Sequence, residues 1–196
     1  KTTRDLEGAF KYMTLSALTT IFILTALSLL FIKAGSLSYT ALKPALLANA
    51  SDPKTQLCWA ALVLLASGYA IKSGVAPFHS WLPDAYESAD TAVSIMLSGI
   101  VTKIAGVYSL LVLVRLFPGN AALRTTLLVL GLFTIVVGAL LALQQKNFKR
   151  VAAYSSVSQM GYILLGFAAD SRLGIIAGLM YLLTHSLAKS TLFTNA

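Results

Sequence analysis

Long uncharged runs dominate the pattern of apolar and polar positions along the chain. Four of them contain no charged residue: Tyr12–Ile32, Leu57–Ile71, Thr125–Leu143 and Val151–Ala169. A fifth run, Thr91–Val114, carries a single charge at Lys103. About 20 apolar residues, each rising about 1.5 Å, cross roughly 30 Å of hydrocarbon. The pattern therefore predicts an all-α fold, a polytopic transmembrane helix bundle.

About six membrane segments follow from these runs, and they form a single transmembrane domain with no soluble part: 8–32, 56–78, 91–115, 123–143, 151–169 and 172–196. The connections are short except for 33–55, which contains Gly35, Pro44 and Pro53 and is predicted to be a structured loop. The chain lacks an initiator Met and stops within an apolar pattern. It is therefore interpreted as a piece of a longer protein.

Composition agrees with a membrane protein. Of the 196 residues, 57% are hydrophobic and 11% are charged, which is too little charge to cover a soluble surface. The net charge of +8 comes from basic residues that lie mostly between the apolar runs, where they suit lipid headgroups. Nucleic-acid binding is therefore not expected. The single cysteine, Cys58, cannot form an internal disulfide or hold a cluster by itself, and no nucleotide-binding motif is present, so no cofactor is predicted in this chain.

The end of the second segment has the composition of a broken helix. Its uncharged run ends at Lys72, and Gly74 and Pro77 follow within five residues. Glycine and proline interrupt helices, and broken membrane helices often form ion sites at their half-helix ends. The alternative is that the helix simply stops at Pro77.

Lys103 is the clearest candidate for ion chemistry. Eleven uncharged residues precede it and eleven follow it, which places it roughly 17 Å from either end of its run. An ammonium at that depth costs at least about 2.5–3.5 kcal/mol, so it should face the interior of the bundle, water or a counter-charge. Burial and a nearby carboxylate shift a lysine pKa in opposite directions, so Lys103 could exchange a proton near neutral pH. The alternative is a lysine in a static ion pair.

Two further pairs have the i, i+4 spacing that places side chains on one helix face. His185 and Lys189 form the first pair, and a histidine there is a candidate proton relay, although a lone helical histidine can also be a core residue. Glu7 and Lys11 form the second pair, whose position favours a solvated ion pair at a helix start.

Polar and aromatic residues also follow the expected break. Trp81 and Tyr86 are typical of the membrane–water interface. His79 and Asp84 are candidates for the mouth of an ion path, although acids here could also face headgroups, and their spacing predicts no metal site. The basic connection Lys146–Arg150 is interpreted as a headgroup anchor.

Three stretches closely resemble a known family: Lys72–Ala85 with Val93–Lys103, then Asn147–Tyr162, then His185–Phe193. They are similar to the core of the antiporter-like family, which includes the membrane-arm pumping subunits of complex I, subunits of energy-converting hydrogenases and the large subunits of Mrp-type sodium/proton antiporters. The resemblance covers nearly the whole chain. It implies part of an inverted-repeat antiporter-like fold.

The resemblance also implies roles for single residues. Lys72 matches the lysine on the broken helix, and Glu7 matches the membrane glutamate that pairs with it. Lys103 matches the central lysine of a hydrophilic axis that continues through His185 and Lys189. Redox chemistry in the family takes place in other subunits, so this chain is interpreted as a non-redox pumping subunit.

Ion translocation is therefore the expected function, with a proton as the ion, in a complex I-type NADH-quinone oxidoreductase or an energy-converting hydrogenase. The alternatives are an Mrp-type antiporter without a redox partner and a non-transporting structural subunit. Asp90 stands where many relatives have proline, which leaves both branches open. The expected partners are other membrane subunits, H⁺ or Na⁺ and the lipid bilayer, in a prokaryotic cytoplasmic membrane.

Overall fold

The computed structural model describes residues 3–47, 54–117, 119–169 and 171–195, and within these residues all regular structure is helical. Nine α-helices follow one another in these ranges: α1 Thr3–Ala34, α2 Tyr39–Leu47, α3 Lys54–Ser73, α4 Trp81–Ser88, α5 Thr91–Met96, α6 Ser109–Leu116, α7 Ala121–Leu143, α8 Phe148–Ala168 and α9 Arg172–Thr194. A π-helical segment, Leu97–Tyr108, joins α5 to α6. The prediction of an all-α fold is confirmed.

Five stretches of the described residues are long and apolar enough to cross a membrane: Leu6–Ala34, Gln56–Ser73, Thr91–Leu116, Ala121–Leu143 and Arg172–Thr194. Helix α8 is 21 residues long, but serines and Gln159 lower its hydropathy. It packs between α7 and α9, and many of its side chains are buried by protein. Because α8 is not among these five stretches, the six-segment count stays a prediction.

The long connection 33–55 contains α2, as expected for a structured loop, although residues 48–53 lie outside the described ranges. Leu42 of α2 is buried, and the hydroxyl of Tyr39 donates to the carbonyl oxygen of Arg115 at the end of α6. This contact ties the connection to the span that carries Lys103.

The helix break is present. Helix α3 ends at Ser73, Gly74 adopts a φ of +70°, and α4 begins only at Trp81. A positive φ is readily accessible to glycine because it has no Cβ. The chain therefore forms a long helix, α3, an irregular stretch, and then a second, short helix, α4. Lys72 lies in the last turn of α3.

Small residues allow the helices around the break to pack closely. A Cβ on Gly106 would lie 2.6 Å from the backbone nitrogen of Ser73, and a Cβ on Gly99 would lie 2.9 Å from the hydroxyl of Ser190. The π-helical segment is therefore held against α3 on one side and α9 on the other. Glycines also line the α7–α8 contact, at Gly131, Gly138 and Gly161.

Candidate functional site

Lys103 lies in the centre of the bundle. The residue is 0% exposed, and its Nζ has no hydrogen-bond partner within the described residues. It belongs to the π-helical segment, a conformation that is rare and often found at functional sites. Gly99 precedes it by one turn and Gly106 follows it by three residues, so the close contacts with α9 and α3 lie on either side of the lysine.

His185 and Lys189 approach Lys103 from α9. Both residues are buried, and the three side chains are close enough for their charges to interact. The Nζ of Lys189 donates to the carbonyl oxygen of Ala152 at 2.8 Å and to Oγ of Ser155 at 2.5 Å. Like charges repel, so charging Lys103 and Lys189 together costs more free energy than the sum of charging each one alone.

The imidazole of His185 has no fixed partner. Neither ring nitrogen has a hydrogen-bond partner in the part of the chain that the structure describes, and the ring stacks on Tyr181 with a centroid distance of 6.5 Å. His185 and Lys189 both line an open groove of about 420 Å³ between α8 and α9, which also includes Gln159. The predicted pair is thus brought together with Lys103, and it borders this groove.

Lys72 is half-buried at the end of α3. It lines a small cavity together with Ser16 and Thr19 of α1 and Val101 of the π-helical segment. Lys72 therefore lines the same small cavity as Val101, a residue of the segment that carries Lys103.

Glu7 does not pair with Lys72, which corrects the pairing that the family resemblance implied. Its carboxylate lies 2.6 Å from the Nζ of Lys11, and its side chain is 61% exposed. Lys72 borders Ser16 and Thr19, which lie about 13–18 Å further along α1 at about 1.5 Å per residue. Glu7 is too close to the start of the helix to reach that level, and Lys11, one turn away, holds its charge.

Asp84 connects three helices at that end of the bundle. One of its carboxylate oxygens accepts a hydrogen bond from the Nζ of Lys11 at 2.7 Å, and the other lies 3.3 Å from Arg150 of α8. Arg150 also donates to Glu87 at 2.9 Å, and Glu87 accepts a second hydrogen bond from Asn147. Arg150 is therefore not a headgroup anchor, as the sequence suggested, because its guanidinium binds carboxylates within the protein.

These charged residues surround an open cavity of about 450 Å³, the charged vestibule, lined by Glu7, Gly8, Lys11, Asp84, Glu87, Ser88 and Arg150. Asp84 thus lies where an ion-path mouth was expected. His79 lies outside the vestibule, with its ring edge against Tyr154. Burial lowers the pKa of His79 below its ordinary value, which favours a neutral ring.

Trp81 and Tyr86 are buried within the protein and do not face its surroundings, so their place at the membrane interface stays a prediction. Trp81 is 4% exposed, packs on Tyr12 and donates from its indole nitrogen to the carbonyl oxygen of Ile71 at 3.0 Å. The hydroxyl of Tyr86 lies 3.5 Å from that of Thr102, next to Lys103. Both aromatic residues thus connect α4 to the elements that carry the lysines.

Sequence reasoning missed Thr134. This residue of α7 is fully buried, and its hydroxyl oxygen accepts a hydrogen bond from the backbone N–H of Ala76 within the break. Its position in a continuous apolar run carries no signal in the sequence. The ion pairs of Arg150 had a weak signal, since three acids lie within seven residues after the break, at Asp84, Glu87 and Asp90.

The fold and the site together define a class: a multi-pass membrane protein with a broken helix, a π-helical segment and ionisable groups buried between helices. The whole chain, residues 1–196, matches the family described as NADH:quinone oxidoreductase/Mrp antiporter, transmembrane. The chain belongs to this family.

Named relatives agree with that assignment. Subunit N of the NADH-quinone oxidoreductase of Mycobacterium bovis is 38% identical over 182 residues, which is 92% of this chain and 34% of the relative. Subunit M of the same kind of enzyme from Rickettsia prowazekii is 34% identical over 188 residues, covering 95% of this chain and 37% of the relative. The chain therefore spans about a third of the length of these curated relatives.

Solved structures show the same fold. A chain of the Mrp complex from a Dietzia species superposes with a TM-score of 0.88 at 30% identity, over 98% of this chain and 35% of that one. A chain of the membrane-bound sulfane sulfur reductase, an archaeal respiratory membrane complex, gives 0.87 at 31% identity, over 99% and 39%. These comparisons confirm the predicted antiporter-like fold and a multi-pass integral membrane protein of prokaryotic type.

Proposed function

We propose that this chain forms part of an antiporter-like subunit that translocates protons within a complex I-type NADH-quinone oxidoreductase or a related energy-converting hydrogenase. The observation that carries the proposal is the buried ammonium of Lys103, which has no acceptor among the described residues. Keeping it permanently charged there costs at least about 2.5–3.5 kcal/mol. An acceptor would stabilise only the charged form, so its absence makes loss of the proton easier and favours a protonation cycle over a static ion pair.

The proposed path runs from Lys72 at the helix break to Lys103 and then to His185 and Lys189. Proton transfer between these groups requires water or short-lived contacts, since fixed hydrogen bonds do not join them. Because His185 can accept a proton at one ring nitrogen and release one from the other, it suits the step toward the groove between α8 and α9. The oxygens of Ala152 and Ser155 stabilise Lys189 when it is charged.

The proposed path begins with residues other than the buried lysines: Glu7, Asp84 and His79. Glu7 and Asp84 line the charged vestibule, where carboxylates attract cations from solution. We assign them to the mouth of the path. His79 lies between the vestibule helix α4 and the break, and it is a candidate for the step from the mouth toward Lys72.

The test is Lys103→Met in the full-length subunit, within its complex, reconstituted in vesicles. We expect turnover of the complex to continue while proton translocation falls, because methionine keeps the length of the side chain and removes its proton. Lys146→Met is the matched control, since Lys146 is an exposed lysine in the connection between α7 and α8. Unchanged translocation in Lys103→Met would remove this lysine from the path.

A second candidate function is ion exchange in an Mrp-type antiporter without a redox partner. The close structural similarity to a chain of the Mrp complex favours it. Vesicle assays with sodium or potassium as the exchanged cation separate the two, because a sodium/proton antiporter acidifies or alkalises the lumen in response to a sodium gradient alone. If Lys72 and Lys103 substitutions leave all ion movement unchanged, the subunit is structural.

The expected partners follow from the same relatives. They are subunits of multi-subunit membrane complexes, so we propose that the full-length subunit assembles with other membrane subunits in a prokaryotic cytoplasmic membrane. Redox cofactors would then belong to those partners.

A further inference from the structure

The helix break leaves a backbone donor that the break itself cannot satisfy. Within the break, Gly74 N–H donates to Ile71, Val75 N–H to Ala70 and Phe78 N–H to Val75. The N–H of Ala76 has no backbone acceptor and instead donates to Oγ1 of Thr134, at 3.2 Å. A buried N–H without a partner is costly, so this hydrogen bond stabilises the broken conformation.

The geometry of Thr134 is fixed on its own helix. Its hydroxyl donates to the carbonyl oxygen of Leu130 at 2.5 Å, which leaves a lone pair directed at the break. Thr134 lies between Gly131 and Gly138 on the face of α7 that packs closely on α8. Ser158 of α8 further ties the pair by donating to Ile135. The acceptor for Ala76 is therefore part of a tightly packed helix pair.

The opposite side of the break is held by α4. Trp81 donates from its indole nitrogen to the carbonyl oxygen of Ile71, which is the residue before Lys72. The carbonyl side of the break is thus satisfied by a residue that follows it closely in sequence. The N–H side, in contrast, depends on a residue 58 positions away on a different helix.

We propose that Thr134 is a positioning residue for ion translocation: its hydroxyl holds the backbone of Ala76, and thereby fixes where α3 ends and where Lys72 lies relative to Lys103. The inference rests on the proposed function. Ala76 lies four residues after Lys72, so a change in the place of the break alters the direction of the lysine side chain. The described hydrogen bonds of Thr134 join it to Ala76 and Leu130 and to neither lysine, so it acts through the backbone of the break.

The test compares two substitutions of Thr134 in the full-length subunit within its complex. Thr134→Val keeps the shape and removes the acceptor, whereas Thr134→Ser keeps the hydroxyl. Losing the acceptor should change the equilibrium between arrangements of the break by a factor of about 5 or more. We expect proton translocation per turnover in reconstituted vesicles to fall to about half or less in Thr134→Val. Thr134→Ser should stay near the unsubstituted value.

Thr126→Val is the matched control on the same helix, because among the described residues the hydroxyl of Thr126 bonds only to the carbonyl oxygen of Ala122. It should leave translocation per turnover unchanged. Equal losses in Thr126→Val and Thr134→Val, or no loss in an assembled Thr134→Val complex, would overturn the proposal. Should Thr134→Val fail to assemble, Thr134→Ala carries the same expectation, and failure of both to assemble would show a purely structural role.

Lys103→Met in the same assay separates this inference from the proposed function. If Lys103→Met translocates normally, the proposed function fails whatever Thr134 does. If Lys103→Met loses translocation and Thr134→Val does not, only the positioning role is wrong.

Discussion

The ammonium of Lys11 lies 2.7 Å from a carboxylate oxygen of Asp84, although 73 positions separate the two residues. Lys11 belongs to α1 and Asp84 to α4, the short half-helix after the break. Arg150 of α8 contacts the same carboxylate at 3.3 Å. The Asp84 side chain therefore joins α1, α4 and α8 just after the helix break.

Asp84→Asn should destabilise this end of the bundle, because it removes the charge that both Lys11 and Arg150 contact. Each of these partly exposed ion pairs is worth roughly 0.2–1 kcal/mol, so we expect a loss of about 1 kcal/mol in the free energy of unfolding. Thermal unfolding of the purified full-length protein in detergent measures it.

Asp90→Asn is the control for that substitution. Asp90 is exposed and makes no side-chain hydrogen bond at the start of α5. Its unfolding midpoint should not move. The Asp84→Asn effect should also shrink at about 1 M salt, where the Debye length is about 3 Å. An effect that does not depend on salt would argue that the ion pairs are not its cause.

Gly106→Ala should push the π-helical segment away from α3. The new Cβ would lie 2.6 Å from the nitrogen and Cα of Ser73, and backbone atoms cannot move aside as a side chain can. Overpacking of this kind costs about 1–3 kcal/mol, partly offset by about 1 kcal/mol of improved helix propensity. We expect reduced proton translocation together with a lower unfolding temperature.

Gly99→Ala provides the comparison for Gly106→Ala on the same segment. Its new Cβ would meet the hydroxyl of Ser190 at 2.9 Å, and that side chain can rotate away. Its effect should therefore be the smaller of the two in both assays. The reverse order would show that the contact with α3 is not the tight one.

Trp81→Phe should weaken the helix break while keeping the aromatic contact with Tyr12. The substitution removes the indole N–H and leaves the carbonyl oxygen of Ile71 without its side-chain donor. Because the carbonyl oxygen of Ile71 still accepts from the N–H of Gly74, we expect a loss of about 0.5–1.5 kcal/mol in the free energy of unfolding, measured by thermal denaturation. Trp59→Phe is the matched control, because Trp59 is 50% exposed, and it should change stability by about 0.5 kcal/mol or less.

Lys189→Met should abolish proton translocation in the intact complex, because Lys189 is the last titratable group of the proposed path. Ser155→Ala should have a weaker effect, since the carbonyl oxygen of Ala152 still accepts from the ammonium. Flux measurements in reconstituted vesicles, with turnover measured in parallel, compare the two variants. A stronger loss in Ser155→Ala than in Lys189→Met would contradict the path.

The sequence predicted the fold class and the position of Lys103 because both depend on the chain locally. A long apolar run must form a helix in hydrocarbon, since no water is available to the backbone. A charge in the middle of such a run must be buried in the bundle. The composition around Gly74 and Pro77 similarly indicated the helix break, although it left a simple helix end as an alternative.

Pairings across the bundle were beyond the reach of the sequence. The i, i+4 pair of Glu7 and Lys11 was predicted from its spacing and is confirmed, but the second contact of Lys11, with Asp84, was not predicted. Arg150 binds Asp84 and Glu87, whereas its neighbours suggested a headgroup anchor. A charged residue can reach any opposite charge within a few ångströms, and sequence distance says nothing about which one is nearest. The roles of the lysines and of His185 in ion transport stay predictions.

What the sequence by itself determined was which segments are long and apolar and which of them carry a charge, since hydration of the backbone and of an ammonium depends only on local composition. Tertiary structure alone decided that Lys103 lies in a π-helical segment near Lys189, and that Thr134 satisfies the broken helix of Lys72. Those relations depend on how closely small residues let separate helices approach, and only the packed bundle contains that information.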